Sequence, residues 1–146
     1  MIQKILLASD GSANALRAAA LANELLKEIP RAAVTVLVVN DMLDKMKFYS
    51  PLRSAVIFEE VEQFFREKAG EALAKTMAVF DREHSRVSAE IKTGNPAEEI
   101  LEFAGAGGYD LIIVGSRGMG SIRGLLMGSV STKVVQLAAC PVTVVK

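Results

Sequence analysis

The sequence holds one cysteine, one histidine and four prolines in 146 residues. The lone cysteine, Cys140, excludes an intrachain disulfide. Lying before Pro141 at a strand start, it reads as a small buried apolar group. The lone histidine, His84, lies among Arg82, Glu83 and Arg86, which reads as surface and leaves no credible Ser-His-Asp set. A zinc site is excluded for want of a Cys or His cluster. Neither sign of charge is in excess. Lys plus Arg is 17 and Asp plus Glu is 17, which argues against a surface built to hold nucleic acid or an anionic membrane. No apolar run approaches the roughly 20 residues of a membrane span. The longest, Ala32 to Val39, includes Thr35 and reads as a buried strand. The opening Met1-Ile2-Gln3-Lys4-Ile5-Leu6-Leu7 lacks the small-residue cleavage site and apolar length of a signal peptide. A soluble, cytoplasmic protein is expected.

What is present is an ordinary globular composition, 51% hydrophobic and 23% charged, in a chain long enough for one domain with its own core. The apolar pattern switches period repeatedly. Ile2–Ala8 reads as a strand and ends in Ser9-Asp10-Gly11-Ser12. Ser12–Ile29 is helical, with Leu21, Leu25 and Ile29 at steps of four and alanines between, and Pro30 stops it. Ala33–Val39 reads as a strand buried on both faces. Asp41–Ser54, with Pro51, reads as a loop. Val56–Phe80 carries an apolar stripe (Val61, Phe65, Ala69, Ala72, Thr76, Phe80) and reads as a long helix. Val87, Ala89 and Ile91 alternate with Ser88, Glu90 and Lys92, the mark of a strand with a wet face or an edge position. Asn95 caps and Pro96 opens the next helix, which Gly105–Gly108 end. Leu111–Val114 is a strand, Val130, Val134 and Leu137 trace a helix, and Val142–Val145 is the last strand.

This alternation predicts one domain, residues 1–146, with an open five-stranded parallel sheet and helices on both faces. The all-apolar strands belong in the middle and the alternating and short strands at the edges, so the order is three-two-one-four-five. Winding then reverses between strands one and four. Ligands bind beyond the carboxyl ends of strands at such a switch. Ser9-Asp10 and Gly115-Ser116-Arg117-Gly118 stand there.

The glycine-rich stretch Gly115 to Gly124, followed by Gly128-Ser129, can bring backbone amides to an anion, with a helix N-terminus beside it. Ser129 and Ser131 offer hydroxyls and Arg117 and Arg123 charge. It fits neither the P-loop, because Met127-Gly128 precedes Ser129, nor the dinucleotide fingerprint, because Gly124 falls one residue late. On spacing alone, a phosphate cradle and a loop of turn glycines stay equally open. Asp10 is open between a phosphate or metal role and a helix cap, and Ser129 between a phosphate contact and an N-cap.

Gly115-x2-Gly118-x9-Gly128-Ser129 resembles the G-2x-G-9x-G-[ST] motif of the universal stress protein family. Lys4 to Ser12, Gly94-Asn95-Pro96-Ala97-Glu98-Glu99-Ile100, Tyr109 to Gly118, Gly128-Ser129-Val130-Ser131 and Cys140 to Val145 are similar to its other signatures, so the likeness spans the chain. The resemblance implies a Rossmann-like domain akin to adenine nucleotide alpha hydrolases, binding ATP with magnesium, usually as a homodimer. It implies that Ala8, Ser9 and Asp10 lie along the nucleotide, Asp10 near the phosphates or their magnesium ion. Val39 contacts adenine through its backbone, and Val114 and Gly115 border the ribose. Arg117, Gly118, Gly128, Ser129, Val130 and Ser131 hold the phosphates. Ala8-Ser9 departs from the Val or Pro-Thr of many members.

The favoured reading is a nucleotide-dependent regulatory or stress-response module with an unknown protein partner. Its rivals are a slow ATPase and a scaffold with incidental nucleotide. Asp10 and Arg117 are present, but no Gln or Glu is placed to orient water, which predicts slow turnover at best. The apolar edge Val142–Val145 predicts a homodimer joined through that strand.

Overall fold

The computed structural model describes residues 1–47, 55–80, 85–120, 124 and 126–146. Strands β1 (Lys4–Ala8), β2 (Ala33–Asn40), β3 (Val87–Thr93), β4 (Leu111–Gly115) and β5 (Val142–Val145) form one sheet. Its order is β3-β2-β1-β4-β5 and every pair is parallel. The helices are α1 (Ala13–Glu28), α2 (Met42–Met46), α3 (Ala55–Met77), α4 (Pro96–Gly107) and α5 (Ser129–Leu137). The strand order is the one the composition gradient predicts. The central β1 is flanked on one side through Leu6 and Thr35 and on the other through Leu6 and Ile112.

The pleat divides the core in two. Ile5, Leu7, Val34, Val36 and Ile113 face α1 and the end of α3, while Leu6, Ala8, Leu37, Ile112 and Val114 face α4 and α5. Against the first face α1 presents Ala18, Ala19 and Ala22, all wholly buried. The stripe Leu21, Leu25 and Ile29 lies at the margin, partly buried. Methyl-sized contacts let α1 sit close to the sheet. The Arg86 guanidinium clasps the far end of α1. It donates to the carbonyls of Leu26 (2.8 Å), Ile29 (3.2 Å), Pro30 (3.3 Å) and Ala32 (3.0 Å). A cation is thereby held at the negative end of the helix. At the other end of the sheet, the Asp110 carboxylate accepts from the Gln3 and Lys4 amides at 2.9 and 2.8 Å. Those two bonds hold its carboxyl below the usual range.

The structure departs from the sequence reading at α2 and decides two helix caps that the sequence left open. Residues Met42–Met46 are helical rather than loop. Asn40 Oδ1 accepts from the Met42 amide at 3.1 Å, and Lys45–Asp41 and Lys47–Asp44 pair one turn apart, so local polar bonds make a turn that apolar periodicity does not advertise. Ser12, not Asp10, caps α1, its hydroxyl accepting from the Ala15 amide at 3.3 Å. Gly128, not Ser129, is the N-cap of α5. The alternating strand β3 stands at the sheet edge, as its pattern predicts, with Ala89 exposed and Ile91 43% exposed. Cys140 is half-buried against the second core, and burial pushes its thiol up. Pro51 and His84 lie outside the described residues, as does Arg123. No helix among the described residues is long and apolar enough to cross a membrane.

Candidate functional site

Beyond the carboxyl ends of the strands lies a cavity of about 570 Å³. It sits where β1 and β4 lead the chain away in opposite directions, the switch point of the sheet. The twelve residues that the resemblance places along a nucleotide line it: Ala8, Ser9 and Asp10 at the end of β1, Val39 on β2, Val114, Gly115, Arg117 and Gly118 at the end of β4, and Gly128, Ser129, Val130 and Ser131 at the start of α5.

Their side chains do different things. Asp10 bridges two loops: Oδ1 accepts from the Ser12 amide at 3.0 Å and Oδ2 from the Met119 amide at 2.8 Å. A carboxylate has about four lone-pair sites, so this exposed group keeps two of them for a ligand. Gly118 makes the bridge feasible, because a Cβ there would run into the Asp10 carboxylate. The Ser9 hydroxyl is committed. It shares a 2.6 Å bond with Thr76 Oγ1, which itself donates to the Ala72 carbonyl, and it accepts from the Gly11 amide at 3.1 Å. Ser9 thus fastens the β1 turn to α3.

Ser131 is committed as well. It is almost wholly buried, and its hydroxyl donates to the carbonyls of Ser116 (2.7 Å) and Gly128 (3.1 Å). Its one hydroxyl proton is therefore spent on the scaffold. The Gly128 amide donates to the same Ser116 carbonyl at 2.6 Å. Ser116 is in turn fixed by Asn14, whose Nδ2 donates to its hydroxyl at 3.0 Å. The loop after β4 and the start of α5 are thereby locked together against α1.

What this lock presents is a bare helix start. The first intrahelical bond of α5 runs from the Thr132 amide to the Gly128 carbonyl at 3.1 Å. The amides of Ser129, Val130 and Ser131 therefore have no acceptor within the helix, and the Gly128 cap has no side chain to supply one. They form the positive end of the helix dipole and can hold an anion.

At the other end of the cavity the backbone of β2 is exposed. The Leu37 carbonyl accepts from the Ser9 amide on the β1 side, and the Asn40 carbonyl accepts from Gly94 on the β3 side. Alternation along the strand sends the amide and carbonyl of Val39 toward β1, one step beyond the last paired residue, Ala8 with Leu37. That donor–acceptor pair borders the cavity and suits the edge of a planar heterocycle.

Sequence reasoning missed part of the wall. Asn40, Asp41, Asp44 and Lys45 come from the β2–α2 corner, Phe65, Lys68, Ala69 and Ala72 from α3, and Asn95, Pro96, Ala97, Ile100 and Lys133 from α4 and α5. Asn95 was detectable, since it follows β3 and caps α4, accepting from the Glu98 amide at 3.1 Å. The corner residues were hidden by the reading of α2 as loop. Among the described residues no three His, Cys, Asp or Glu side chains are grouped to hold a metal.

Fold and cavity together define an open, doubly wound α/β domain with a crevice at the switch point. A model of the universal stress protein family matches residues 1–146, and the chain belongs to that family. It is 38% identical to the universal stress protein in the QAH/OAS sulfhydrylase 3' region of Thermus aquaticus over 149 residues, covering all of both chains. It is 34% identical to universal stress protein YxiE of Bacillus subtilis over 153 residues, again covering all of both. Among solved structures, the Methanocaldococcus jannaschii protein MJ0577 superposes with a TM-score of 0.79 at 28% identity, over 100% of this chain and 96% of that one. The fold is shared by an Arabidopsis thaliana universal stress protein solved with AMP bound (TM-score 0.60, 23% identity, 99% and 91% covered). It is also shared by the Archaeoglobus fulgidus protein in complex with dAMP (TM-score 0.67, 19% identity, 100% and 98% covered).

Proposed function

We propose that this universal stress protein binds an adenine nucleotide, ATP with magnesium, and works as a homodimeric, nucleotide-dependent regulatory module. The observation that carries the proposal is one cavity with two unlike ends. A bare helix start suited to phosphates faces an unpaired strand backbone suited to the base. The AMP and dAMP held by relatives of the same fold support that reading. In it, the amides of Ser129, Val130 and Ser131 and the charge of Arg117 receive the phosphates, the Val39 backbone meets adenine, and Val114 and Gly115 border the ribose. Magnesium suits Asp10, because this ion takes one or two carboxylates plus phosphate oxygens and water rather than a dedicated protein cage. In this reading the protein is a nucleotide sensor with at most slow hydrolysis. The setting proposed is the cytoplasm, with a partner protein reading the nucleotide state.

A thermal melt with and without MgATP tests binding. At a hundredfold excess over Kd the ligand adds about 2.7 kcal/mol to stability, and an unchanged melt at millimolar nucleotide contradicts the reading. The dimer rests on β5, which lies at the sheet edge beside α5 residues Val135 and Leu137, 45% and 60% exposed. An unpaired apolar edge of this kind invites a second copy. Light scattering at micromolar concentration is expected to give twice the monomer mass, and a Val144→Lys variant the monomer mass. A monomeric wild type contradicts the dimer.

A further inference from the structure

The β2 side of the cavity carries a carboxylate whose geometry exceeds what packing requires. Asp44, on α2, lines the cavity and is only about a quarter exposed (side chain 24%). Its Oδ1 accepts two hydrogen bonds, from Lys47 Nζ at 2.8 Å and from Asn95 Nδ2 at 3.0 Å. Those bonds hold the carboxyl below its usual range, so the group is charged at neutral pH and only accepts. They also fix its orientation, since one donor lies on its own helix turn and the other on the cap of α4. Among the described residues nothing donates to Oδ2. Asp41, the neighbouring carboxylate, is held more loosely, at 3.6 Å from the exposed Lys45.

Position assigns the ligand group. The anion cradle stands beyond β4, and α2 follows β2, two strand spacings away along the sheet. At about 4.8 Å per spacing, that is roughly the length of a nucleoside. A fixed negative charge at that end cannot serve phosphates. It attracts a hydrogen-bond donor and repels a carbonyl oxygen.

We propose that Asp44 sets base specificity, its Oδ2 accepting from the exocyclic amine of adenine and disfavouring bases that carry a keto oxygen at the same position. This rests on the nucleotide reading above. In that arrangement Val39 supplies a backbone donor and acceptor common to many heterocycles, and Asp44 supplies the discrimination between amine and keto edges.

The test is titration calorimetry of the full chain with MgATP and MgITP, on wild type and Asp44→Asn. Asparagine keeps an oxygen for Lys47 and Asn95 and replaces Oδ2 by a donor. Wild type is expected to prefer ATP by about tenfold or more, the worth of one charge-assisted hydrogen bond. In Asp44→Asn, ATP affinity falls, ITP affinity rises, and the preference vanishes or reverses. Purine riboside triphosphate, which lacks the amine, loses at least as much affinity for wild type as ATP loses for the variant, a measurement that needs no mutant to fold. Equal losses for ATP and ITP in the variant would show that Asp44 merely positions α2 and would overturn the proposal, as would an unchanged ratio. Wild type binding ATP and ITP equally overturns it too while leaving the nucleotide reading standing. Wild type binding neither overturns both.

Discussion

Replacing Gly128 by valine is expected to remove nucleotide binding and leave the fold nearly intact. Gly128 has no conformational need to be glycine: its φ of −80° and ψ of 173° are open to any residue. It has no packing need either, since a Cβ would meet its nearest neighbours, Arg117 Cα and the Ser116 carbonyl, at ordinary contact distances of 3.6 and 3.7 Å. What remains is its place on the cavity wall, ahead of the three bare amides of α5. A branched side chain there stands between those amides and a phosphate. Losing two charge-assisted hydrogen bonds of about 1.5–3 kcal/mol each weakens binding by roughly a hundredfold or more. The stability cost is that of a poorer N-cap, about 1 kcal/mol, or a few degrees in Tm at this chain length. Calorimetry and a melt on the same sample separate the two effects. Unaltered affinity would mean that the phosphate lies elsewhere.

Gly115→Ala is expected to do the reverse. A Cβ at Gly115 would stand 2.9 Å from both the Ala15 amide nitrogen and the Asn14 carbonyl carbon. These are backbone atoms at the start of α1 and cannot swing aside. Either α1 lifts from β4 or the strand bends, and overpacking of this kind costs about 1–3 kcal/mol. The neighbouring bond from Asn14 to the Ser116 hydroxyl, 3.0 Å long, is strained by the same shift. A fall in Tm of several degrees without ligand present is the expected result, and an unchanged melt would contradict the close approach. The motif glycines therefore serve different ends. Gly115 lets a helix approach, Gly118 leaves room for the Asp10 bridge, and Gly128 clears the way to the helix start.

That division was not legible in the sequence, where all three appear as one spaced pattern. The fold was more open to reading. Largely apolar runs at Ile2–Ala8, Ala33–Val39 and Leu111–Val114 mark three strands as central, and the order of the sheet follows from them. Asn95 and Pro96 announce the start of α4, and the structure has the cap in place. The parts that escaped depend on contacts between distant residues or on short polar turns. Asp10 meets the Met119 amide across 109 positions, and Ser9 meets Thr76 across 67. No local pattern distinguishes a serine that braces a helix from one that faces a ligand. Helix α2 has one buried apolar residue, Met42, too little for periodicity to register. The charged residues Asp41, Asp44 and Lys45 consequently read as loop, although they line the cavity.

The nucleotide released when freshly purified protein is denatured by heat tests the central claim most directly. The account predicts an adenine nucleotide in the supernatant near one per chain from wild type, and none from Gly128→Val purified in parallel. Equal amounts from both proteins, or none from wild type together with no thermal shift in MgATP, would contradict it.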